Sequence, residues 1–204
     1  MYVSPVKLKD KKDVDYFKKR AFELIGVDYP DYYFEQGFIR AFRNTDDEIV
    51  GGYAVITEGP LRTVSSLPDR SLLEEDEEDL MEITALWLEP EIKNGFPSLV
   101  LWLTFSRDVY VQKSKKYMIY AYDLDNEKLG KLYRLARPTE IFRGTVKMLE
   151  GNFYENQEII EIASRLNVGL LPITAFPNLL SKTIFKRKTF IKDIKLLDYI
   201  LGQA

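Results

Sequence analysis

The chain contains no cysteine and no histidine. Without cysteine, disulfide bonds, thiolate nucleophiles and cysteine-based zinc sites are excluded. Without histidine, the Ser-His-Asp triad, most catalytic zinc sites and the commonest general base are excluded. Chemistry would have to come from carboxylates, tyrosine, hydroxyl or basic side chains, backbone amides or a bound cofactor, and we expect no metal site. A reaction driven by an activated substrate, such as a thioester, remains compatible with this composition.

A large excess of one charge and a long apolar run are also missing. The formal net charge is −3, so no general attraction to nucleic acid or anionic membranes is expected. The longest apolar run, residues 96–103, is too short to span a bilayer. The N-terminal residues 1–12 are too charged to form a secretory signal. We therefore expect a cytoplasmic protein with no membrane span and no nucleic-acid partner.

The length of 204 residues and the hydrophobic fraction of 46% fit one large domain, or one domain with an appendage. Alternating or apolar runs predict strands at 2–8, 38–42 and 49–57, with the last two forming a hairpin, and helical spacing predicts a helix at 13–24. The acidic connection 61–79 shows little pattern and is predicted to be a solvated surface loop, because its spacing matches no calcium loop.

The most informative segment is 81–147, where strand, turn, helix, strand, helix and strand follow each other. The predicted strands are 81–88, 117–122 and 139–147; a turn at Asn94-Gly95 precedes a long helix from about Pro97, and a second helix covers 125–134. This order places a strand end, a turn and a helix N-terminus together. Free backbone N–H groups and the helix dipole at such a point can hold a phosphate.

A single charge, Glu82, interrupts the nearly apolar strand 81–88. A period of two would place Glu82, Thr84, Leu86 and Leu88 on one face of the sheet. Two interpretations stay open. Glu82 is either a hydrogen-bonded structural carboxylate, or a site carboxylate whose pKa is raised by desolvation toward a value useful for a base.

The segment after residue 150 differs from the rest in composition. Apolar residues in 156–166 have a spacing that predicts a helix, and a basic run with interleaved apolar residues follows at 182–195. That run is interpreted as a packed element with a solvated face, or as a phosphate- or partner-binding surface. We divide the chain into a domain 1–150 and an extension 151–204. The extension is expected to pack on the core because it contains many apolar residues.

Three motifs in this order resemble the GNAT N-acetyltransferase superfamily. They are L-W-L-E-P-E at 86–91, Asn126 at the start of a helix, and Leu132-Tyr133 late in that helix. The resemblance, over about residues 2–147, implies an α/β fold with a mixed central sheet flanked by helices, which the C-terminal residues would extend with mainly helical structure. It also implies that two later strands separate around a cleft.

The resemblance implies a function as well. An acyl group would pass from acetyl-CoA, a longer acyl-CoA or an acyl carrier protein to a small-molecule amine. Glu82 would accept the amine proton, and Tyr133 would protonate the departing thiolate, unless it is a plain half-buried helix tyrosine. The implied cofactor-binding residues are Leu88, Lys93, Asn94, Gly95, Phe96 and Asn126.

A narrower resemblance is to the autoinducer synthases of the same fold. It rests on Gly59-Pro60-Leu61-Arg62, a long connection, and Met81-Glu82-Ile83-Thr84. In those enzymes an arginine follows the hydroxyl residue, where this chain has Ala85, and their preceding strand carries another arginine, which 51–56 lacks.

The loop K-N-G-F-P at 93–97 leaves an alternative open. It has one glycine and a proline without an N–H group, where the superfamily usually has a glycine-rich pattern. A turn without a ligand, in a non-catalytic binding or scaffold protein, is therefore the alternative, with the aromatic segment 28–34 either an interaction surface or packed over the first helix. The two functions differ in one structural expectation: the cleft is open in an enzyme, and filled by Trp87, Trp102 and their neighbours in a scaffold.

Overall fold

The structure, a computed structural model, describes residues 2–93, 96–152 and 157–174 of the chain, and only the backbone of Glu127, Lys128 and Leu132. Its centre is a seven-stranded mixed sheet with the strand order β1-β2-β3-β4-β5-β7-β6. The strands are β1 Ser4–Lys7, β2 Gly37–Arg43, β3 Ile49–Ile56, β4 Leu80–Leu88, β5 Tyr117–Asp123, β6 Thr139–Thr145 and β7 Gln157–Ser164. The predicted hairpin and the central position of β4 are confirmed.

Helices cover both faces of this sheet. They are α1 Lys11–Ile25, α2 Asp31–Glu35, α3 Arg62–Ser65, α4 Phe96–Tyr110, α5 Glu127–Tyr133, α6 Arg165–Gly169 and α7 Leu171–Thr174. Most buried hydrophobic residues of α4, and those of α5, α6 and α7, belong to one hydrophobic cluster. Those of α1, α2 and α3 belong to a second cluster. We call the corresponding faces of the sheet the α4 face and the α1 face.

The boundaries of α1 follow from its sequence. Asp10 caps its N-terminus by accepting a hydrogen bond from the Lys12 backbone N–H at 2.9 Å, and Gly26 ends it in the left-handed conformation with φ of 83°, which glycine adopts at little cost. Phe17 and Ala21 form its buried face. The ring of Phe17 lies 5.5 Å from that of Trp87, so α1 packs directly over β4.

The pairing of β4 with β5 is short. The two strands run parallel, and their ladder contains only the pairs Leu80–Tyr117, Met81–Met118 and Glu82–Ile119. Beyond Glu82, β4 pairs only with β3, and beyond Ile119, β5 pairs only with β7. The strands therefore separate in the middle of the sheet, as predicted, and their facing edges carry backbone N–H and C=O groups without a strand partner.

A β-bulge interrupts β4 at Ala85. Gly52 pairs with Trp87, whereas Ala54 pairs with Thr84, so β4 has one more residue than β3 over this stretch. Ala85 has a φ of 50°. The predicted alternation across 82–88 is therefore wrong: Leu86 and Leu88 pack with the α4-face cluster, whereas Ala85 and Trp87 belong to the α1-face cluster. The bulge leaves Glu82 and Thr84 on the face opposite to Leu86 and Leu88.

The predicted helix at 156–166 is also wrong, because Gln157–Ser164 forms β7. This strand lies between β5 and β6 and pairs antiparallel with both. Residues after 150 thus contribute an inner strand to the sheet. The remaining division into 1–150 and a packed extension 151–204 stays a prediction, because 175–204, with the basic run, lie outside the described residues.

The connection 61–79 is more ordered than a solvated loop. It contains α3 and two short 3-10 turns, Arg70–Leu72 and Glu77–Asp79. Leu61, Val64, Leu67 and Leu73 are buried in the α1-face cluster. Within the described ranges, no helix is long and apolar enough to cross a membrane.

Candidate active site

A cavity of about 810 Å³ lies where β4 and β5 separate. Its walls include members of both hydrophobic clusters, such as Leu101 and Tyr133 from the α4 face and Tyr29 and Trp87 from the α1 face. Because the clusters lie on opposite faces of the sheet, the cavity passes through the sheet at the split. Trp87 and Trp102 line the cavity rather than filling it.

Glu82 lines this cavity at the last paired position of β4. It is 2% exposed, and its Oε2 accepts a hydrogen bond from the Thr63 backbone N–H at 2.9 Å. Burial raises the pKa of Glu82 above its usual value, while hydrogen bonds from Thr63 and Tyr33 and the positive charge of Arg62 oppose this shift. A carboxylate with a raised pKa is a stronger base than an exposed one.

Two stacked tyrosines and an arginine complete the α1-face end of the cavity. The rings of Tyr29 and Tyr33 are 6.2 Å apart and 8° from parallel, and the Arg62 guanidinium carbon lies 5.5 Å and 5.9 Å from their centres. The Tyr29 hydroxyl accepts a hydrogen bond from Thr84 Oγ1 at 2.8 Å. Aromatic residues of the segment 28–34 therefore pack over β4, and Tyr29 lines the cavity as well.

Tyr133, the last residue of α5, lies on the α4-face side of the cavity. Its buried ring is 4.3 Å from the ring of Tyr120 and 6.2 Å from that of Trp102. Burial raises the pKa of Tyr133, and the negative charge of Glu161 raises it further. The hydroxyl is protonated at neutral pH, as that of an ordinary tyrosine is, so it can donate a proton, but the raised pKa makes it a weaker acid than an exposed tyrosine.

The predicted cofactor-binding residues are distributed around the same side. Leu88, Lys93 and Asn126 line the cavity, and the half-buried Phe96 begins α4 and packs against the α4-face cluster. Asn126 precedes α5, and its Oδ1 accepts a hydrogen bond from the Leu129 backbone N–H at 3.3 Å. Asn94 and Gly95 lie outside the described residues.

No protein-family model and no curated protein matches the sequence. Solved structures do match. FeeM, an N-acyl amino acid synthase from uncultured soil microbes, aligns with a TM-score of 0.60 and 14% identity over 90% of this chain and 96% of its own. Arabidopsis thaliana NAA60, solved with a bisubstrate analogue, aligns with a TM-score of 0.58 and 12% identity over 80% and 98%. Spermidine N-acetyltransferase from Vibrio cholerae, solved with CoA and spermine, gives 0.55 and 8% over 81% and 97%.

The chain has the GNAT fold. The split between β4 and β5 and the helix that follows β4 therefore occupy the positions that the sequence resemblance implied. Where the autoinducer synthases have an arginine, the GNAT fold of this chain has the bulge residue Ala85.

One further buried carboxylate of this GNAT fold was not predicted from the sequence. Glu161 on β7 is 5% exposed and accepts hydrogen bonds from the hydroxyls of Tyr120 at 2.9 Å and Tyr122 at 3.2 Å. Burial and the charge of Glu161 raise the pKa of Tyr122 to about 12. Glu161 interrupts a run of isoleucines, as Glu82 interrupts an apolar strand, so the sequence signal that identified Glu82 was also present at Glu161. Within the described residues, no group of three or more acidic side chains is placed to hold a metal ion.

Proposed function

We propose that this protein is an N-acyltransferase that moves an acyl group from a CoA or acyl-carrier thioester to an amine. The observation that carries the proposal is the open cavity through the sheet, with a buried carboxylate, Glu82, and a protonated tyrosine, Tyr133, in its wall. A cavity lined from both faces of the sheet allows two substrates to meet inside the protein. The non-catalytic alternative required a filled cleft, and the open cavity does not favour it.

The reaction requires only direct attack. The amine nitrogen attacks the thioester carbonyl carbon, a C–N bond forms, and the C–S bond breaks. Glu82 accepts the proton that the nitrogen loses, directly or through water, and Tyr133 donates a proton to the departing sulfur. Because the protein forms no covalent intermediate, the absence of cysteine and histidine is no obstacle.

The donor is proposed to lie along β4 on the α4-face side. From Ile83 onward the β4 edge facing the split has no strand partner, so its backbone groups are available to the two amides of a pantetheine arm. Lys93 and the start of α4 follow at the end of the strand, where a cation and backbone N–H groups suit a pyrophosphate. Pro97 contributes no such donor.

The acyl group could be acetyl or longer. The cavity of about 810 Å³ falls in the range of sites that hold drug-sized ligands, and its apolar lining includes Leu24, Ile25, Val27 and Leu149. This apolar wall is larger than a two-carbon acetyl group requires. We therefore propose that the protein accepts a longer acyl chain in addition to acetyl.

Isothermal titration of the full chain with acetyl-CoA and decanoyl-CoA tests the proposal, together with thiol release in the presence of amines. The chain has no cysteine, so a thiol reagent reports only the released carrier thiol. We expect both esters to bind, decanoyl-CoA more tightly, and Lys93→Gln to weaken binding roughly two- to fivefold. Lys113→Gln is the matched control, since Lys113 is exposed and does not line the cavity.

A folded protein that binds neither ester, and that releases no thiol from a decanoyl-loaded acyl carrier protein, would contradict the proposed function.

A further inference from the structure

Arg62 lies in the wall of the cavity at its α1-face end. The half-buried side chain donates hydrogen bonds to two neutral acceptors, the Glu150 carbonyl oxygen at 2.7 Å and Asn152 Oδ1 at 3.0 Å. Its guanidinium also rests against the faces of Tyr29 and Tyr33. These contacts fix the position of the cation but do not neutralise its charge.

Three other half-buried arginines are neutralised by carboxylates: Arg20 pairs with Glu89, Arg40 with Asp108, and Arg43 with Asp13. Arg165 is half-buried too, but it donates to the Tyr110 backbone carbonyl oxygen and lies outside the cavity. Arg62 makes no ion pair within the part of the chain that the structure describes. It is also the one arginine there that lines the cavity. A guanidinium presents five N–H donors in a planar fork, which suits a carboxylate, and its two hydrogen bonds use two of them.

Arg62 and Glu82 belong to one hydrogen-bond network. The backbone N–H of Arg62 donates to the Tyr33 hydroxyl at 3.3 Å, and that of Thr63 donates to Glu82 at 2.9 Å. The Tyr33 hydroxyl also lowers the pKa of Glu82, so it lies close to that carboxylate. The group proposed to accept the amine proton thus lies beside an arginine without a carboxylate partner.

The donor phosphates are distant from Arg62. The proposed pyrophosphate site follows Leu88, six residues along β4 from Glu82, which corresponds to about 20 Å at the rise of an extended strand. Lys93 is the cation at that end of the cavity. An anion bound by Arg62 would therefore belong to the acceptor.

We propose that Arg62 binds a carboxylate of the acceptor, and that the acceptor is an amino acid or a similar amine with a carboxylate beside the nitrogen. This inference rests on the proposed function. In an amino acid the amine and the carboxylate share one carbon atom, so a carboxylate on Arg62 holds the nitrogen near Glu82. Tyr29 and Tyr33 fix the guanidinium for this contact.

The test compares wild type with Arg62→Gln and Arg70→Gln. Arg70 also donates to two backbone carbonyls of the 61–79 connection but does not line the cavity, so it controls for the loss of a structural arginine. Acyl transfer from decanoyl-CoA is measured with a mixture of the twenty common amino acids and with a mixture of their C-terminal amides. Binding of each mixture to the CoA-loaded protein is measured by ligand-observed NMR.

We expect wild type to prefer the acids over the amides. Arg62→Gln should reduce kcat/KM for the acids roughly 10- to 100-fold more than for the amides, mainly through KM. Arg70→Gln should leave kcat/KM unchanged for both the acids and the amides. Decanoyl-CoA should bind equally to wild type and to the two variants.

Equal use of acids and amides by wild type, or an equal loss for both in Arg62→Gln, would overturn the assignment and leave the proposed function standing. If neither mixture is acylated, thiol release from the thioesters with other amines decides on the proposed function. The binding arm then still decides on Arg62, because acids must bind more tightly than amides in wild type but not in Arg62→Gln.

Discussion

At the scale of single residues, Glu82 combines burial with a position in a cavity wall. Its hydrogen bond from the Thr63 N–H and the nearby Tyr33 hydroxyl fit a structural carboxylate, and its place beside the split fits a base. These two roles are compatible, because an ionised carboxylate has about four acceptor sites and these partners leave some of them for a substrate.

A Glu82→Gln variant separates the charge of this residue from its hydrogen bonds. The amide oxygen still accepts the Thr63 N–H, but the side chain no longer ionises. We expect kcat to fall about 10²- to 10⁴-fold while the protein stays folded. The matched control is Glu77→Gln, whose carboxylate accepts the Leu61 N–H at 2.8 Å and lies outside the cavity. Retained activity in Glu82→Gln would exclude Glu82 as the base.

The same variant has a defined effect on stability. Because burial raises the pKa of Glu82, the folded state binds more protons than the unfolded state between the ordinary and the raised pKa. The free energy of unfolding of wild type therefore decreases as pH rises through that window and stays lower above it. We expect the melting temperature of Glu82→Gln to rise relative to wild type over the same window, as measured by calorimetry from pH 4 to 8. A melting temperature of Glu82→Gln that falls relative to wild type over this window would show that the ionised carboxylate stabilises the folded state.

At the scale of elements, the bulge in β4 determines the face of the sheet on which each of its side chains meets the cavity. Without the extra residue at Ala85, a strict period of two would put Leu86 and Leu88 on the face of Glu82. The bulge instead keeps Glu82 and Thr84 on the α1 face and returns the leucines to the α4 face.

Substitutions at Ala85 test this backbone conformation. With a φ of 50°, the position should tolerate glycine and reject a β-branched residue. We expect Ala85→Gly to change the free energy of unfolding by no more than about 1 kcal/mol, and Ala85→Val to lower it by about 2 kcal/mol or more. Urea unfolding measures both, and each variant serves as the control for the other. Equal stability of the two would mean that the bulge relaxes easily.

The elements also show where sequence patterns suffice and where they fail. Helix α1, the β2–β3 hairpin and the run from β4 to β6 were predicted, because each has one solvated face or strong boundary signals. β7 was misassigned, because it is buried on both faces and its apolar residues, interrupted by Glu161, lack the alternation of a half-buried strand. Its three isoleucines in 159–162 favour a strand. The bulge at Ala85 depends on pairing with β3, and no local pattern indicates it.

At the scale of the whole molecule, β7 comes from the last described part of the chain and lies inside the sheet, between β5 and β6. It pairs with β5 along all seven residues of that strand and also holds β6. The site depends on this arrangement, since Glu161 of β7 binds the tyrosines next to Tyr133.

A truncation after Glu150 removes β7. We expect an insoluble protein or one without a cooperative melting transition, because β5 and β6 lose their common partner and expose unpaired edges. The control ends after Thr174 and keeps all seven strands. Solubility and calorimetry provide the readout, and a stable monomeric 1–150 fragment with unchanged melting behaviour would show that β7 is dispensable.

The residues proposed for catalysis could be named from the sequence, but their surroundings could not be predicted. Glu82 was conspicuous as a charge in an apolar strand, and Tyr133 followed from a family motif. Arg62 appeared only within the resemblance at 59–62 and was given no role there, because its proposed role depends on the stacking of Tyr29 with Tyr33 and on contacts with residues 150 and 152. Such contacts between distant parts of the chain have no sequence period.

The cavity through the sheet has a consequence for how the substrate preferences of this protein can diverge or be engineered. Under the proposed function, thioester and amine approach from opposite faces and touch only at the gap between β4 and β5. The segments proposed to bind the carrier part of the thioester and the amine are then different: the start of α4 with α5 on one face, and α2 with α3 on the other. Acceptor preference can therefore diverge while binding of the carrier is retained.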